Sequence, residues 1–276
     1  MRIRTVDAFT DRPYTGNPAG VVLLPGDGPG RFPDDERLQR LAMEINLAET
    51  AFALPLPDDP EHDWELRWFT PSTEVDLCGH ATLATAHVLR SDGLAEKSVR
   101  FRSRSGLLTA AFTPEGSITL DFPTSPLTGI APPDGLAEAL GAPVVRAYDT
   151  GPLGDLLVEL ADERTVRDLA PDLAAVGRLD AYGAVIVTAR AASPDSAHDY
   201  VSRMFGPAVG IPEDPVTGSA HTALAPLWSA RLGSDTLTGL QASARTGHVR
   251  TTLRGDRTEL TGDAVTVLDA QLLPGL

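Results

Sequence analysis

Glu49 is the residue of this chain whose surroundings most clearly favour acid/base chemistry. It interrupts the otherwise apolar run LAETAF at positions 47–52, where a carboxylate is costly unless it is paired or belongs to a site. Burial would raise its pKa toward the range that suits a general base. Alternation along a strand also leaves one face polar, so an outward-facing Glu49 is an equal alternative, and the pattern does not choose between them.

Two glycines each open a predicted helix of small residues. Gly79 stands in the sequence CGH before the helix at 80–89, and Gly218 stands in TGS before the helix at 219–232. Free backbone N–H groups and the helix dipole attract anions at such starts. We therefore predict that Gly79, Gly218 and Ser219 bind a carboxylate. Simple capping of the second helix by Thr217 or Ser219 remains the alternative.

Four further side chains are considered for chemistry. Asp214, in the loop sequence EDP before the second helix, is either a second acid/base or an acidic turn residue ahead of proline. His80 could donate to a substrate or shuttle a proton, although an isolated histidine in such a helix is more often structural. Cys78, His80 and His221 could suggest a metal site, but no paired second ligand motif accompanies them, so we predict no metal.

Composition excludes several classes of protein. The 276 residues carry a formal charge of −15, which argues against nucleic-acid binding. No apolar run approaches the roughly 20 residues of a membrane helix, and the start lacks a secretory pattern, so we expect a cytoplasmic protein without membrane association. Lys97, the sole lysine, lies in a polar turn, which disfavours Schiff-base chemistry. Phosphate-binding glycine motifs are missing, so we expect no cofactor.

The chain nearly repeats itself. The sequence RWFTP at 67–71 leads through an acidic loop into the first glycine, and RMFGP at 203–207 leads in the same way into the second. This spacing predicts a duplicated domain with one site between its halves. We place the halves at 1–125 and 126–276, with the last strand near 264–273 packing against the first half.

Local patterns predict strands and few helices. Apolar residues at helical spacing predict a helix at 34–45, and the segment 80–89 reads as a helix buried on all sides. Strands are predicted within 2–24, at 46–54 and 64–69, as three antiparallel strands in 98–122, and as three short strands in 241–268. The stretch 123–133, rich in proline and glycine, is predicted to be a linker. Strand-rich halves that each surround one apolar helix define an α+β architecture.

Taken together, these segments resemble the PhzF (phenazine-biosynthesis) isomerase family of the diaminopimelate-epimerase-like fold. The resemblance rests on VDAF at 6–9, GNPA at 16–19, NLAETAF at 46–52, RWFTP into CGHAT at 78–82, and EDPVTGSA at 213–220, in that order. It implies two similar domains, each an antiparallel barrel-like sheet around a central helix, with the active site in the cleft between them. It also implies a cofactor-free enzyme that is usually a homodimer.

The resemblance assigns roles to particular residues. Glu49 corresponds to the acid/base that moves a proton between carbons, with supporting roles for His80, Asp214 and Ser219 and for the backbone of Gly79 and Gly218. Opposed helix starts could stabilise the delocalised anion that forms when a proton leaves a carbon beside a carboxyl or diene system. A two-thiol racemase is disfavoured, because only the first half has a cysteine before its glycine.

Two hypotheses follow from the sequence. The first is a cofactor-independent isomerase or epimerase that acts on a small carboxylate-bearing metabolite. The second is a non-catalytic small-molecule-binding or regulatory protein with the same fold. The substrate is left open, because kinship of fold does not transfer a substrate.

Overall fold

The chain forms two compact units. The structure, a computed structural model, describes residues 2–26, 30–179 and 181–273. Unit 1 contains Met1–Asp121 together with Thr261–Leu276, and unit 2 contains Phe122–Leu260. The boundary predicted from the sequence lay at 125/126. Both units are built mainly from strands, and the architecture is α+β.

The elements follow one another in chain order as 18 strands and six helices within the described residues. From the start of the chain they are β1 Arg2–Ala8, β2 Asn17–Leu23, α1 Asp35–Ile45, β3 Glu49–Pro55, β4 Trp64–Phe69, β5 Glu74–Val75, α2 Gly79–Ser91, β6 Ser98–Ser103, β7 Gly106–Phe112 and β8 Ile118–Pro123. They continue as β9 Thr128–Ile130, α3 Leu136–Leu140, β10 Arg146–Asp149, β11 Leu156–Glu159, α4 Glu163–Asp168, α5 Leu173–Val176, β12 Val185–Arg190 and β13 Tyr200–Gly206. The last are β14 Ile211–Asp214, α6 Gly218–Leu232, β15 Thr236–Gln241, β16 Gly247–Arg254, β17 Arg257–Gly262 and β18 Ala264–Gln271.

The same strand order occurs in both units. In unit 1 the neighbours run β18, β1, β2, β3, β4, β6, β7, β8, with β5 added to β4. In unit 2 they run β9, β10, β11, β12, β13, β15, β16, with β14 added to β13. Most pairs are antiparallel, but β2–β3 and β4–β6 are parallel, as are their counterparts β11–β12 and β13–β15. The sequence repeat therefore corresponds to a repeat of topology.

The repeated R-x-F signal also has the same local structure in each unit. Arg67 donates from Nε and Nη2 to both carboxylate oxygens of Glu74, at 2.7 Å each, and its guanidinium lies over the Phe69 ring. Arg203 makes the equivalent pair with Glu213, at 2.7 and 3.0 Å, and lies over Phe205. This bidentate pair ties the strand that carries the arginine to the short strand just before each helix.

The two principal helices are buried on nearly every side, as the sequence predicted for 80–89. In α2 nine of 13 residues are buried, and the helix packs against β1, β2, β3, β7 and β18. In α6 ten of 15 residues are buried, and Leu224, Leu227 and Trp228 join the core of unit 2. Within the described part of the chain, no helix is both long and apolar enough to cross a membrane.

Three local predictions were wrong. Asn46 was predicted in a strand, but it ends α1 in the left-handed conformation, at φ 53°, and β3 begins only at Glu49. Asp214 was predicted in a loop, but it is the last residue of β14, because pairing with β13 extends the strand to this point. The predicted linker 123–133 contains β9, which is held by pairing with β10. Each error reflects strand pairing or a turn that local propensity does not encode.

Gly239 makes room for the ring that anchors α6. A Cβ atom at Gly239 would lie 2.5 Å from two atoms of the Tyr200 ring. That ring stacks on Trp228 at 5.8 Å, and its hydroxyl lies 2.9 Å from Nδ1 of His221, so both contacts fix α6.

Gly239→Ala should therefore lower the free energy of unfolding by about 1–3 kcal/mol through overpacking. Gly129→Ala is the matched control, because its Cβ would meet nothing within 4 Å, and it should change stability by less than about 0.5 kcal/mol. Urea unfolding of both variants measures the difference. Equal urea midpoints for the two variants would contradict the prediction, because they would mean that the Tyr200 ring moves to accommodate the new Cβ atom without loss of stability.

Candidate active site

Glu49 faces the interior of unit 1. It is the first residue of β3, and only 9% of its surface is exposed. Parallel pairing places Glu49 beside Ala19 of β2, and Asn17 is the first residue of β2. The outward-facing alternative for Glu49 is therefore wrong.

His80 is the partner of Glu49. It is the second residue of α2 and is 5% exposed. Its Nε2 lies 3.2 Å from Glu49 Oε2. On the other side of the ring, Nδ1 lies 3.2 Å from Nδ2 of Asn17 and 3.5 Å from the Cys78 sulfur. Four side chains, those of Asn17, Glu49, Cys78 and His80, thus form the unit 1 cluster.

Burial and pairing act in opposite directions on the pKa values of the unit 1 cluster. Burial alone would raise the pKa of Glu49, but the His80 ring beside it, with a contribution from Cys78, brings it below its ordinary value of 4.5. Burial would lower the pKa of His80, but Cys78 and Glu49 together raise it well above 6.5. Burial and the charge of Glu49 raise the pKa of the Cys78 thiol to about 11.

These shifts favour an ionised Glu49, a neutral Cys78 thiol and, through the charge of Glu49, the protonated form of His80. The expectation of a raised Glu49 pKa was wrong in its net direction: burial does raise it, but the neighbouring His80 outweighs that effect. Glu49 Oε2 is buried, and although it faces His80 Nε2 it makes no aligned hydrogen bond among the described residues. Such an oxygen in a native structure calls for an explanation, and a ligand or catalytic role is one.

The unit 1 cluster also includes the atoms that could hold a metal. Glu49, Cys78 and His80 each offer one ligand atom, and these atoms lie within 4.8 Å of one another. The carboxylate and the imidazolium already neutralise each other, and the thiol is protonated, so a metal would have to displace two protons. His221, the other histidine considered for a metal, is fully buried beside Tyr200, and burial lowers its pKa to about 3.

Unit 2 arranges its candidates through a network of hydrogen bonds. Thr217, which precedes α6, donates its hydroxyl to Oδ2 of Asp214. Gln241, at the end of β15, donates from Nε2 to the Asp214 carbonyl at 2.8 Å and to Thr217 Oγ1 at 3.1 Å. Its Oε1 accepts from the Thr217 N–H at 2.8 Å. Asp214, Thr217 and Gln241 form the unit 2 cluster, and all three are buried.

Thr217 does not cap α6. It occupies the N-cap position with extended backbone, at φ −107° and ψ 99°, but its side chain makes no capping hydrogen bond. Ser219, at the second helical position, is partly exposed, and no hydrogen bond of its hydroxyl occurs within the described residues. The capping alternative is therefore wrong for Thr217. Gly218 and Ser219 begin a helix whose first N–H groups receive no hydrogen bond from the Thr217 side chain.

Sequence reasoning missed two buried amides. Asn17 contacts His80, and Gln241 contacts Thr217 and Asp214; both amides have no exposed surface. A buried amide is costly unless its hydrogen bonds are made, so an asparagine or glutamine among apolar strand residues was the available signal. Asn17 follows a turn and Gln241 begins a polar stretch, so neither residue stands out in the sequence as a buried amide.

A cavity of about 760 Å³ in unit 1 is a different feature. Its lining includes Arg2, Arg4 and Phe32 but no member of the unit 1 cluster. Arg4 is paired with Asp92 at 2.8 Å, and Arg2 is paired with Asp269. The chemistry therefore points to the unit 1 cluster rather than to this cavity.

Comparison with known proteins identifies the class of fold and then the family. A hydroxyproline epimerase from Agrobacterium vitis has a TM-score of 0.62 at 15% identity, covering 98% of this chain and 91% of that one, which shows a common fold. The fold is diaminopimelate-epimerase-like. A family model described as phenazine biosynthesis-like protein (PhzC-PhzF) matches residues 6–270. The chain belongs to this family.

Two relatives are similar over nearly their whole length. An uncharacterized isomerase from Pseudomonas aeruginosa is 46% identical over 274 residues, which cover 99% of this chain and 98% of the relative. The crystal structure of a PhzF-family protein from Enterococcus faecalis has a TM-score of 0.88 at 39% identity, covering 98% of this chain and 99% of that one.

His80→Gln should raise the pKa of Glu49 relative to the parent, because it removes the cation that opposes desolvation. The side-chain carboxyl ¹³C shift of Glu49, titrated by NMR, reports this directly and needs no substrate. His198→Gln is the matched control, since His198 pairs with Glu163 at 3.1 Å in unit 2. An unchanged or lower Glu49 pKa in His80→Gln would contradict the ion pair.

Proposed function

We propose that the protein is a cofactor-independent isomerase or epimerase that moves a proton between carbons of a small carboxylate-bearing metabolite, with Glu49 as the base. The observation that carries the proposal is Glu49 Oε2, a buried carboxylate oxygen 3.2 Å from His80 Nε2 without an aligned hydrogen bond. The relative from Pseudomonas aeruginosa is named an isomerase, which supports the same class of reaction.

In the proposed reaction Glu49 takes a proton from a carbon next to a carbonyl, carboxyl or diene system. The electron pair of the broken C–H bond delocalises into that system, and Glu49 becomes a carboxylic acid. Glu49 then returns the proton to another carbon or to the opposite face, so no oxidant or reductant is needed. The raised pKa of His80 favours its protonated form, so His80 would keep Glu49 ionised and oriented rather than accept this proton.

The helix starts supply the binding part of the proposal. Backbone N–H groups at Gly79, and at Gly218 with the Ser219 hydroxyl, would hold a carboxylate and stabilise the delocalised anion. Asp214 would act as a second acid/base. A homodimer in the cytoplasm, without metal, nucleic acid or membrane, remains our expectation for the working protein.

One observation favours the second candidate, a non-catalytic binding protein. A carboxylate whose pKa lies below 4.5 is a weaker base than one raised by burial. Such a protein would bind carboxylates without exchanging a C–H proton. Solvent-deuterium incorporation into a panel of amino acids and cyclic carboxylates distinguishes the two, because only an enzyme labels carbon.

Glu49→Gln should lower the rate of deuterium incorporation by about 10²–10⁴-fold, because it removes the base but preserves the shape of the side chain. Glu44→Gln, on the exposed face of α1, controls for loss of charge and should leave the rate unchanged. Cys78→Ser should keep most of the activity, since a carboxylate base has no need of a thiol. Parent-like turnover by Glu49→Gln would refute the assignment of the base.

Ser219→Ala should weaken carboxylate binding by about 1.5–3 kcal/mol, the worth of one charge-assisted hydrogen bond, with a smaller change in stability. A capping role predicts the reverse, a loss of about 1 kcal/mol in folding stability with affinity untouched. Calorimetry and urea unfolding on the same variant separate the two. Unaltered affinity beside a lowered midpoint would remove Ser219 from the binding site.

A further inference from the structure

Gln241 makes its hydrogen bonds where β14 ends and α6 begins. Its side chain is fully buried, and its amide makes three hydrogen bonds, two of them to backbone groups. The Thr217 N–H can only donate, and the Asp214 carbonyl can only accept. The orientation of the amide is therefore fixed, with Oε1 toward the N–H and Nε2 toward the carbonyl.

This orientation determines what the Thr217 hydroxyl does. Nε2 donates to Thr217 Oγ1, so the one hydroxyl proton is left to be donated elsewhere, and it goes to Asp214 Oδ2. Oδ2 is thereby the acceptor of this hydrogen bond. Held by Nε2 on one side and by Asp214 Oδ2 on the other, the hydroxyl makes no capping hydrogen bond to α6, although threonine is a preferred N-cap residue.

We propose that Gln241 is a positioning residue that turns the Thr217 hydroxyl toward Asp214 and away from the first N–H groups of α6. The Thr217 hydroxyl accepts its hydrogen bond from the Gln241 amide instead of from the first N–H groups of α6. The N–H groups of the first turn are then left for a ligand carboxylate. This last consequence rests on the proposed function, whereas the redirection of Thr217 does not.

Amide hydrogen exchange at Ser219 and Ala220, the second and third residues of α6, tests the redirection without any ligand. In Gln241→Met the released hydroxyl can cap these N–H groups, so their exchange should slow by severalfold even though the protein loses buried hydrogen bonds. A merely structural role predicts faster exchange at the same amides. Faster exchange in a folded Gln241→Met protein would overturn the proposal.

The double variant Gln241→Met/Thr217→Val provides the control, because valine has no hydroxyl with which to cap. It should lose the slowing seen in Gln241→Met alone. Retention of that slowing would show that Thr217 is not the group responsible, which would also overturn the proposal.

Variants of Thr217 alone keep the test decisive if Gln241→Met does not fold. Because the parent hydroxyl does not cap α6, Thr217→Val should leave exchange at Ser219 and Ala220 close to that of the parent, and so should Thr217→Ser. Markedly faster exchange in Thr217→Val but not in Thr217→Ser would mean that the hydroxyl caps the helix in solution, contrary to the proposal.

Acetate, followed through the amide shifts of Gly218 and Ser219, connects the inference to binding. Gln241→Met should raise the acetate dissociation constant about fivefold, by analogy with the worth of a cap, and Gln241→Met/Thr217→Val should restore it. If acetate shifts neither amide in the parent, the binding role in the proposed function fails while the exchange result stands. If acetate binds to the parent but Gln241→Met and Gln241→Met/Thr217→Val lose affinity equally, the positioning role fails instead.

Discussion

The buried pair of Glu49 and His80 is the interaction on which the rest of unit 1 depends. An unpaired carboxylate at 9% exposure would be neutralised by a shifted pKa. The imidazolium 3.2 Å away reverses that shift. The pair forms only if the first residue of β3 and the second residue of α2 meet, so the parallel pairing of β2 with β3 and the all-round burial of α2 serve the same contact.

The pair also links stability to pH in a direction that follows from the two shifts. The pKa of Glu49 is lowered by folding, so its contribution is present above its ordinary value of 4.5 and is lost as the pH falls through the folded value. The pKa of His80 is raised, so its contribution is complete below 6.5 and is lost as the pH rises through the folded value. The pair is therefore strongest between those two folded values, a range that includes neutral pH.

Sequence patterns identified the repeated frame of strands and buried helices. The R-x-F repeat corresponded to two bidentate arginine pairs, and the segment 80–89 lies within a helix buried on all sides, because both depend on spacing along the chain. The direction of the Glu49 pKa shift could not be predicted from the sequence in the same way. It depends on a histidine 31 positions later, and only the folded distance decides whether pairing or desolvation dominates.

The two units share one strand order but differ in the buried polar groups near the starts of α2 and α6. In unit 1 a buried amide, Asn17, lies 3.2 Å from Nδ1 of His80, on the side of the ring away from Glu49. In unit 2 the buried amide of Gln241 is fixed in orientation by two backbone groups, one a donor and one an acceptor. The same frame therefore places a buried ion pair at the start of α2 and a buried amide network at the start of α6, so the two helix starts differ in their chemistry although the topology repeats.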